Sequence, residues 1–198
     1  MGPGERLIAV GMSHHTANVE DRERVAVAPD RVPVVLDQMC AEGFISEGVL
    51  LSTCNRTELY TVPGHNGNAE RLARLLAETG GVLDRSLADK IYTKRDEAAL
   101  RHIFRVASSL DSLVIGEPQI VGQLKSAFRL AQQGNTAGPM MHRVMDRAMS
   151  VSKRVRTETD IAREAVSVGR AGVELVRQVV GDLKGRSALL IGAGQHGK

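Results

Sequence analysis

Cys54 stands in the polar stretch LLSTCNRTELY, residues 50–60. Short apolar runs on either side, at residues 49–51 and 59–61, are typical of two β-strands and place Cys54 on the turn between them. Asn55 tolerates the left-handed backbone that such turns often need, and Arg56 can hold a cation close enough to favour the thiolate over the thiol. This pattern predicts a nucleophilic cysteine.

The competing interpretation is an inert core cysteine, which is the commoner situation for a lone cysteine among apolar residues. The neighbours of Cys54 argue against it, because residues 52, 53 and 55–57 are all polar. The second cysteine, Cys40, lies in the predicted helical stretch MCAEG, and we interpret it as structural. The spacing of the two cysteines indicates neither a zinc site nor a disulfide framework, so a reduced, cytoplasmic protein fits best.

Composition narrows the classes of function. The chain has 198 residues, a net charge of +3 and no tryptophan, and only 3% of its residues are aromatic. Base stacking on aromatic side chains is therefore an unlikely way to contact nucleic acid, while the small positive charge permits an anionic partner. No apolar run is long enough for a signal peptide or a membrane span, so no membrane association is expected.

Hydrophobic periodicity predicts an α+β fold. Strands are predicted at residues 7–10, 49–51, 59–61 and 91–92, and helices at residues 19–25, 31–41 and 69–79. From residue 96 the pattern becomes helical, with helices predicted at residues 98–110, 121–133 and 140–158. We therefore expect a small mixed sheet with helices, followed by a helical subdomain.

The segment GEPQIVGQ, residues 116–123, separates the first two of these later helices. It combines the carboxylate of Glu117 with the amides of Gln119 and Gln123, all next to Pro118. A binding segment is one interpretation. A plain helix entry with proline in the first turn is equally well supported.

The end of the sequence predicts a nucleotide-binding loop. A helix is expected at residues 166–180, and an apolar strand at residues 187–191 runs into a GxGxxG pattern formed by Gly192, Ala193, Gly194, Gln195, His196 and Gly197. A strand followed by this pattern is typical of the start of a Rossmann-type α/β domain. We predict domains at residues 1–157 and 158–198, the second being a truncated start, and expect a longer parent protein.

Long stretches of the sequence resemble the glutamyl-tRNA reductase family. They are GMSHHTA, LLSTCNRTELY, HIFRVASSLDSLVIGEPQIVGQLKSAF, KRVRTETDI, VSVG and LLIGAG, and they follow the family's order over nearly the whole chain. The sequence departs from the family pattern at His15, which is usually Lys or Arg, at Asn18, which is usually Pro, and at Ser109, which is usually Gly. None of these positions touches the cysteine motif, so they bear on loop geometry rather than on chemistry.

The resemblance implies reduction of glutamyl-tRNA(Glu) by NADPH to glutamate-1-semialdehyde, the first step of the five-carbon route to tetrapyrroles such as porphyrin and haem. It implies that Cys54 attacks the ester to form a thioester, and that His102, at the head of its helix, assists as general acid or base. Arg56 and Glu117 would bind the carboxylate and ammonium of the glutamyl group. The implied substrate-binding residues are Thr53, Asn55, Arg56, Ser112, Glu117, Pro118, Gln119 and Gln123. His14 is a further candidate for the wall of this pocket.

Further properties follow from the same resemblance. NADPH would bind at residues 192–197, the full-length protein would form a homodimer through a C-terminal domain, and the aldehyde would be handed to the semialdehyde aminotransferase. This stretch of sequence is expected to lack the complete reductase activity. For the tRNA, the helix at residues 140–158 offers a basic cluster that either contacts phosphates or forms a solvated face; it consists of Arg143, Arg147, Lys153, Arg154 and Arg156.

Two other classes of function stay open on the residues alone. One is a different NADP-dependent dehydrogenase with an N-terminal substrate domain, in which Cys54 would have no role toward tRNA. The other is a non-catalytic tRNA-binding or regulatory module with the same fold. An ordinary, unreactive thiol at Cys54 would favour the second alternative.

Overall fold

The structure is a computed structural model, and it describes residues 6–79, 85–162, 168–187 and 189. The strands are β1 (Ile8–Ser13), β2 (Ile45–Ser52), β3 (Arg56–Pro63) and β4 (Tyr92–Arg95). The helices are α1 (Val19–Val25), α2 (Val32–Ala41), α3 (Ala69–Glu78), α4 (Arg85–Ala88), α5 (Asp96–Ala107), α6 (Gln119–Gln133), α7 (Pro139–Glu158) and α8 (Val168–Val180). A short 3₁₀ helix at Asp160–Ala162 follows α7.

The strands form one four-stranded sheet in the order β2-β3-β1-β4. The prediction of a mixed sheet is wrong, because every strand pair in this sheet is antiparallel. The short connection at residues 53–55 explains part of this result, since a connection of that length can join only antiparallel strands. The α+β class itself is confirmed.

Strand β1 is longer than predicted, and its extension positions the polar residues of the site. It continues through Gly11 to Ser13, where its residues pair with Glu58, Thr57 and Arg56 of β3. A Cβ atom at Gly11 would lie only 2.6 Å from Cγ of Glu58 and 3.0 Å from the hydroxyl of Tyr92. Glycine is therefore required for the close packing of these two side chains against β1.

The predicted helical subdomain shares one core with the sheet. Buried side chains of the later helices, such as Ile103, Leu124 and Met145, belong to the same hydrophobic cluster as Val10 and Leu50 of the strands. All residues of β1 are buried, so this strand is covered on both faces. The close-packed helices α5 and α6 thus hold their connecting loop against the sheet edge near Cys54.

The helix predicted at residues 166–180 is present as α8, and its apolar side chains Val173, Leu175 and Val179 are exposed. The glycine-rich loop at residues 192–197, like most of the strand predicted at 187–191, lies outside the described residues. Within the described ranges, the helices include none that is long and apolar enough to cross a membrane.

Candidate active site

Cys54 is exposed on the turn that joins β2 to β3, as the sequence predicts. Thr53 organises this turn. Its hydroxyl accepts hydrogen bonds from the backbone N–H groups of Asn55, at 3.2 Å, and Arg56, at 3.1 Å, while its own N–H donates to the carbonyl of Arg56 at 2.8 Å. The side chain of Cys54 thus stands on a short turn whose backbone is held by hydrogen bonds.

The loop between β1 and α1 braces the same turn from outside. The backbone N–H of His14 donates to the carbonyl of Asn55 at 3.0 Å. Arg22, on α1, donates from Nε to the carbonyl of Cys54 at 3.3 Å and from Nη1 to the carbonyl of Ala17 at 2.7 Å. Its guanidinium therefore ties the backbone of Cys54 to a second loop, a role that no local sequence pattern indicated.

We expect Arg22→Lys to loosen the turn, because an ammonium cannot reproduce a fork that spans two carbonyls. Amide hydrogen exchange of residues 53–56 should become about tenfold faster, which corresponds to roughly 1.4 kcal/mol of lost local stability. Arg129→Lys, at an exposed position of α6, is the matched control and should leave these rates unchanged. Equal exchange in both variants would show that Arg22 does not hold the turn.

Cys54 opens into a narrow cleft between the turn and the start of α6. The cleft has about 20 Å³ of space open to water, enough for about one water molecule. Its walls contain seven of the eight sequence-predicted substrate residues together with Cys54 and one new residue, Ile120; they are Thr53, Cys54, Asn55, Arg56, Ser112, Glu117, Gln119, Ile120 and Gln123. Pro118 instead lies at the N-cap of α6 and lines a neighbouring apolar groove, so the segment enters a helix while its polar side chains line the cleft.

Arg56 borders the cleft but is engaged inside the protein. Its side chain is 2% exposed, Nη1 donates to Glu58 at 2.6 Å, and Nη2 donates to the backbone carbonyl of Asp111. The Asp111 carboxylate lies 3.8 Å from the same guanidinium. Burial by itself would lower the pKa of Arg56, but the nearby acidic groups, Glu58 first among them, together outweigh burial and raise that pKa. The cation is thus balanced by two carboxylates.

Glu58 is the centre of a buried polar network that we call the Glu58 cluster; it consists of Arg56, Glu58, Tyr60, Tyr92, His102 and Asp111. The hydroxyls of both tyrosines donate to the Glu58 carboxylate, and Nε2 of His102 lies 3.1 Å from it. Burial opposes ionisation of Glu58, yet the hydrogen bond from His102 and the charge of Arg56 lower its pKa to about 2. Glu58 is therefore an anion held by four donors.

His102 lies in the middle of α5 rather than at its head, which corrects the predicted position. The ring is 6% exposed and is placed between two carboxylates, with Nδ1 at 3.4 Å from Asp111. Burial would lower the pKa of His102, but its hydrogen bonds to Asp111 and Glu58 raise it. His102 lines a separate cavity together with Asp111 and is not among the residues that line the Cys54 cleft.

Glu58, Tyr92 and Asp111 escaped the sequence-based prediction. A signal for Glu58 was present, because Arg56, Glu58 and Tyr60 alternate along a strand and so share one face of the sheet. Burial of that face could not be read from the alternation of polar residues. Asp111 lies in the loop after α5 and is joined to the cluster only by the tertiary fold, so no local signal could have identified it.

The Glu58 cluster should make stability depend on pH in both directions. His102 has a raised pKa, so its contribution is complete below its ordinary value of 6.5 and is lost as pH rises through the higher value in the folded protein. Glu58 has a lowered pKa, so its contribution is complete above its ordinary value of 4.5 and is lost as pH falls toward about 2. We expect maximal stability between about pH 4.5 and 6.5.

Thermal unfolding across pH measures this dependence. In His102→Gln the alkaline decline should flatten, because the titrating group is gone, while the acid decline should remain. His15 also contacts Asp111, at 2.9 Å, and Arg56 and both tyrosines face the carboxylates, so the comparison is made between variant and parent at each pH. An unchanged alkaline decline in His102→Gln would contradict the assignment.

Other predicted residues are placed as follows. His14 stacks on His15 with ring centroids 3.9 Å apart, away from the cleft lining, and burial together with the charge of His15 lowers its pKa. Cys40 is half-buried on α2, where burial raises the pKa of its thiol. In the basic cluster of α7, Arg154 pairs with Glu158 at 2.9 Å and Arg156 donates to the carbonyl of Gly116 at 3.1 Å. Part of that cluster therefore supports the fold.

Among the described residues, no group of histidine, cysteine or carboxylate side chains has the arrangement of a metal site. The groups that this site offers are a thiol and polar side chains. An exposed thiol stands at the rim of a cleft lined with amides, hydroxyls and a carboxylate, with a buried charge network directly behind it. Such a lining offers hydrogen-bond donors and acceptors to a polar group held next to the thiol.

Comparison with known proteins agrees with this description. Residues 10–159 match the family model described as the N-terminal domain of glutamyl-tRNAGlu reductase. The chain is 50% identical to the glutamyl-tRNA reductase of Pelobacter propionicus and 48% identical to that of Geobacter sulfurreducens, in each case over 96% of this chain and 44% of the relative. The solved glutamyl-tRNA reductase from Methanopyrus kandleri superposes with a TM-score of 0.71 at 36% identity, over 88% of this chain and 40% of that one.

The chain thus spans less than half the length of the curated relatives that it matches. The match nevertheless includes the Cys54 turn, the Glu58 cluster and the start of α6, which all lie between residues 10 and 159. By sequence and by fold, the chain belongs to the glutamyl-tRNA reductase family.

Proposed function

We propose that this chain carries the part of a glutamyl-tRNA reductase that takes the glutamyl group from glutamyl-tRNA(Glu) onto Cys54. The observation that carries the proposal is the position of Cys54, exposed on a braced turn and opening into a cleft lined by seven of the eight expected substrate residues. Membership of the family supplies the substrate class.

The chemistry of this step is an acyl transfer. The Cys54 thiolate attacks the ester carbonyl, a C–S bond forms, the ester C–O bond breaks, and the ribose hydroxyl of the tRNA leaves with a proton. The product is a thioester, which is easier to reduce to an aldehyde than a carboxylate. NADPH, when bound at the glycine-rich loop of residues 192–197, would supply the hydride for that reduction, as the sequence pattern suggests.

Recognition of the glutamyl group falls to the cleft walls. Glu117 and the amides of Gln119 and Gln123 offer acceptors for the substrate ammonium and donors for its carboxylate oxygens. Arg56 is the candidate for a bidentate pair with a carboxylate, but this role requires it to exchange its bond to the Asp111 carbonyl for the substrate. The cleft has space for only about one water molecule, which is too small for a glutamyl group. The loop before α6 must therefore move outward when substrate enters.

His102 acts in this proposal as a positioning residue. It contacts Glu58 and Asp111, which in turn hold Arg56 at the cleft, so its influence on Cys54 passes through that guanidinium. Direct proton transfer by His102, as implied by the family resemblance, stays a prediction. A changed pH profile of acylation with an unchanged KM in His102→Gln would favour direct proton transfer.

The test of the proposal is capture of the acyl-enzyme. The protein is mixed with glutamyl-tRNA(Glu), quenched in acid and digested, and the peptide that contains Cys54 is examined by mass spectrometry. We expect a glutamyl adduct on Cys54 that hydroxylamine removes, because hydroxylamine cleaves thioesters. Deacylation of the tRNA without any such adduct, in a protein that retains its fold, would overturn the proposal.

The proposed reaction places the protein in the cytoplasm at the start of tetrapyrrole synthesis. Homodimer formation and transfer of the aldehyde to an aminotransferase are proposed from the resemblance alone, as are the domain limits at residues 1–157 and 158–198. Analytical ultracentrifugation of the full-length enzyme over a range of protein concentrations would test homodimer formation.

A further inference from the structure

A second cavity, of about 640 Å³, is lined by Asp111, whose neighbour Ser112 lines the Cys54 cleft. We call it the basic cavity. Its walls come from β4, one face of α5, and the loops after β1 and α5; the lining residues are His15, Lys94, Glu97, Ala98, Arg101, His102, Arg105 and Asp111. Positions 97, 101 and 105 recur every four residues, so α5 presents them along a single face.

The basic cavity has cations that no carboxylate of the described chain neutralises. Its two acids are already engaged, because Glu97 pairs with Arg101 at 2.9 Å and Asp111 contacts both His15 and His102. Neither Lys94 nor Arg105 forms an ion pair within the described residues. With both carboxylates paired, Lys94 and Arg105 leave an excess of positive charge in the lining, and such an excess in a concave site favours an anionic ligand.

The basic cavity adjoins the Cys54 cleft along two walls. Asp111 lines the cavity while the next residue, Ser112, lines the cleft, and Asp111 also accepts the bond from Arg56. On the other side, His15 lines the cavity while its neighbour His14 donates to Asn55 of the Cys54 turn. A ligand that reaches from one space to the other need only cross the edge of these two loops.

We propose that the basic cavity binds a backbone phosphate of the acceptor end of the tRNA whose glutamyl ester is presented to Cys54. The inference rests on the proposed function, which places the ester at Cys54 and so places the terminal nucleotides beside the cleft. Phosphate is the group indicated, because Lys94 and Arg105 supply positive charge and the described lining residues include no Phe, Tyr or Trp on which a base would stack.

The ligand chemistry has a second source, since the dinucleotide cofactor also carries phosphates. Covalent attachment favours the tRNA: the acylated nucleotide and its 5′ phosphate must follow the ester into this region. Arg154 and Arg156 of α7 already bind Glu158 and the carbonyl of Gly116, so they are less available to tRNA. The basic cavity offers an alternative contact for the tRNA backbone. Backbone contacts of this kind position the tRNA without reading its sequence.

The test measures binding of uncharged tRNA(Glu) over a range of salt concentrations to the parent protein, Lys94→Gln and Arg105→Gln. Each variant should weaken binding on the order of fivefold and reduce the slope of log K against log salt by about 0.7 to 0.9, the value for one phosphate contact. Arg129→Gln removes an exposed cation from α6 and should keep the parent slope. Unchanged slope and affinity in both cavity variants would overturn the proposal.

Two further arms separate the alternatives. If the cavity variants lose affinity for NADPH in the full-length enzyme while tRNA binding is unchanged, the phosphate belongs to the cofactor and the proposal fails. Thioester formation at Cys54 in the parent protein is measured separately, because the proposed function and this inference can fail independently. Suppose that the parent protein forms no thioester at Cys54, while Lys94→Gln and Arg105→Gln still weaken its salt-dependent binding of tRNA. That result would reject the proposed function and leave this inference standing.

Discussion

Replacing Cys54 by serine should lower the rate of glutamyl transfer from tRNA by at least about 10³-fold. A serine hydroxyl is far less acidic than a thiol, and within the described part of the chain the cleft lining contains no histidine to act as its base. The measurement is a single-turnover assay of tRNA deacylation with protein in excess. The variant should keep the parent's thermal stability, because the Cys54 side chain is exposed.

Cys40→Ser is the matched control for this experiment. Burial, followed by the charge of Asp37, raises the pKa of the Cys40 thiol, so that thiol is mostly protonated near neutral pH. Brief alkylation with less than one equivalent of reagent should therefore label Cys54 first. In the deacylation assay, Cys40→Ser should transfer the glutamyl group at the parent rate. Preferential labelling of Cys40, or full activity in Cys54→Ser, would reject Cys54 as the nucleophile.

Glu58→Gln should destabilise the fold by about 3–5 kcal/mol, the usual cost of removing one partner from a buried ion pair. The amide keeps the shape of the side chain, but it leaves the buried cation of Arg56 facing a neutral group and offers a donor to Tyr60 and Tyr92, which are donors themselves. For a chain of this size the loss corresponds to a fall in Tm of roughly 6–20 °C.

Two further variants serve as comparisons for the stability of Glu58→Gln. Glu97→Gln breaks an exposed pair with Arg101 and should change stability by less than about 0.5 kcal/mol. Tyr92→Phe removes one donor to Glu58 while keeping the ring, and we expect an intermediate loss of about 1–2 kcal/mol. If Glu58→Gln proved no worse than Glu97→Gln in chemical denaturation, the carboxylate would not organise the cluster.

Local patterns in the sequence were sufficient to predict many of the strands and helices. The hairpin around Cys54 was predicted because an apolar run, a polar turn and a second β-favourable run are all adjacent along the chain. Helices α6 and α7 were predicted within two residues of their observed starts, since Pro118, Gly138 and Pro139 mark those ends. Signals of this kind depend on neighbours in sequence, which is why they can be read without a structure.

The arrangement of charges could not be predicted in the same way. Arg56 was expected to serve the thiol and the substrate, and its partners Glu58 and Asp111 were not foreseen, because Asp111 meets it only after α5 packs on the sheet. Lys94 and Arg105 belong to no sequence motif, and only the fold places them around one cavity. Long-range pairing of this kind depends on topology, which no local window of sequence contains.

The aromatic content of the chain makes the Glu58 cluster a natural optical reporter. Tyrosine occurs only at positions 60 and 92, tryptophan is absent, and both phenol groups bind the same carboxylate. Intrinsic fluorescence and near-ultraviolet absorbance therefore arise mainly from two rings next to the proposed site. Opening of the cleft, arrival of an anion in the basic cavity, or unfolding could each be followed by this signal without attaching a dye.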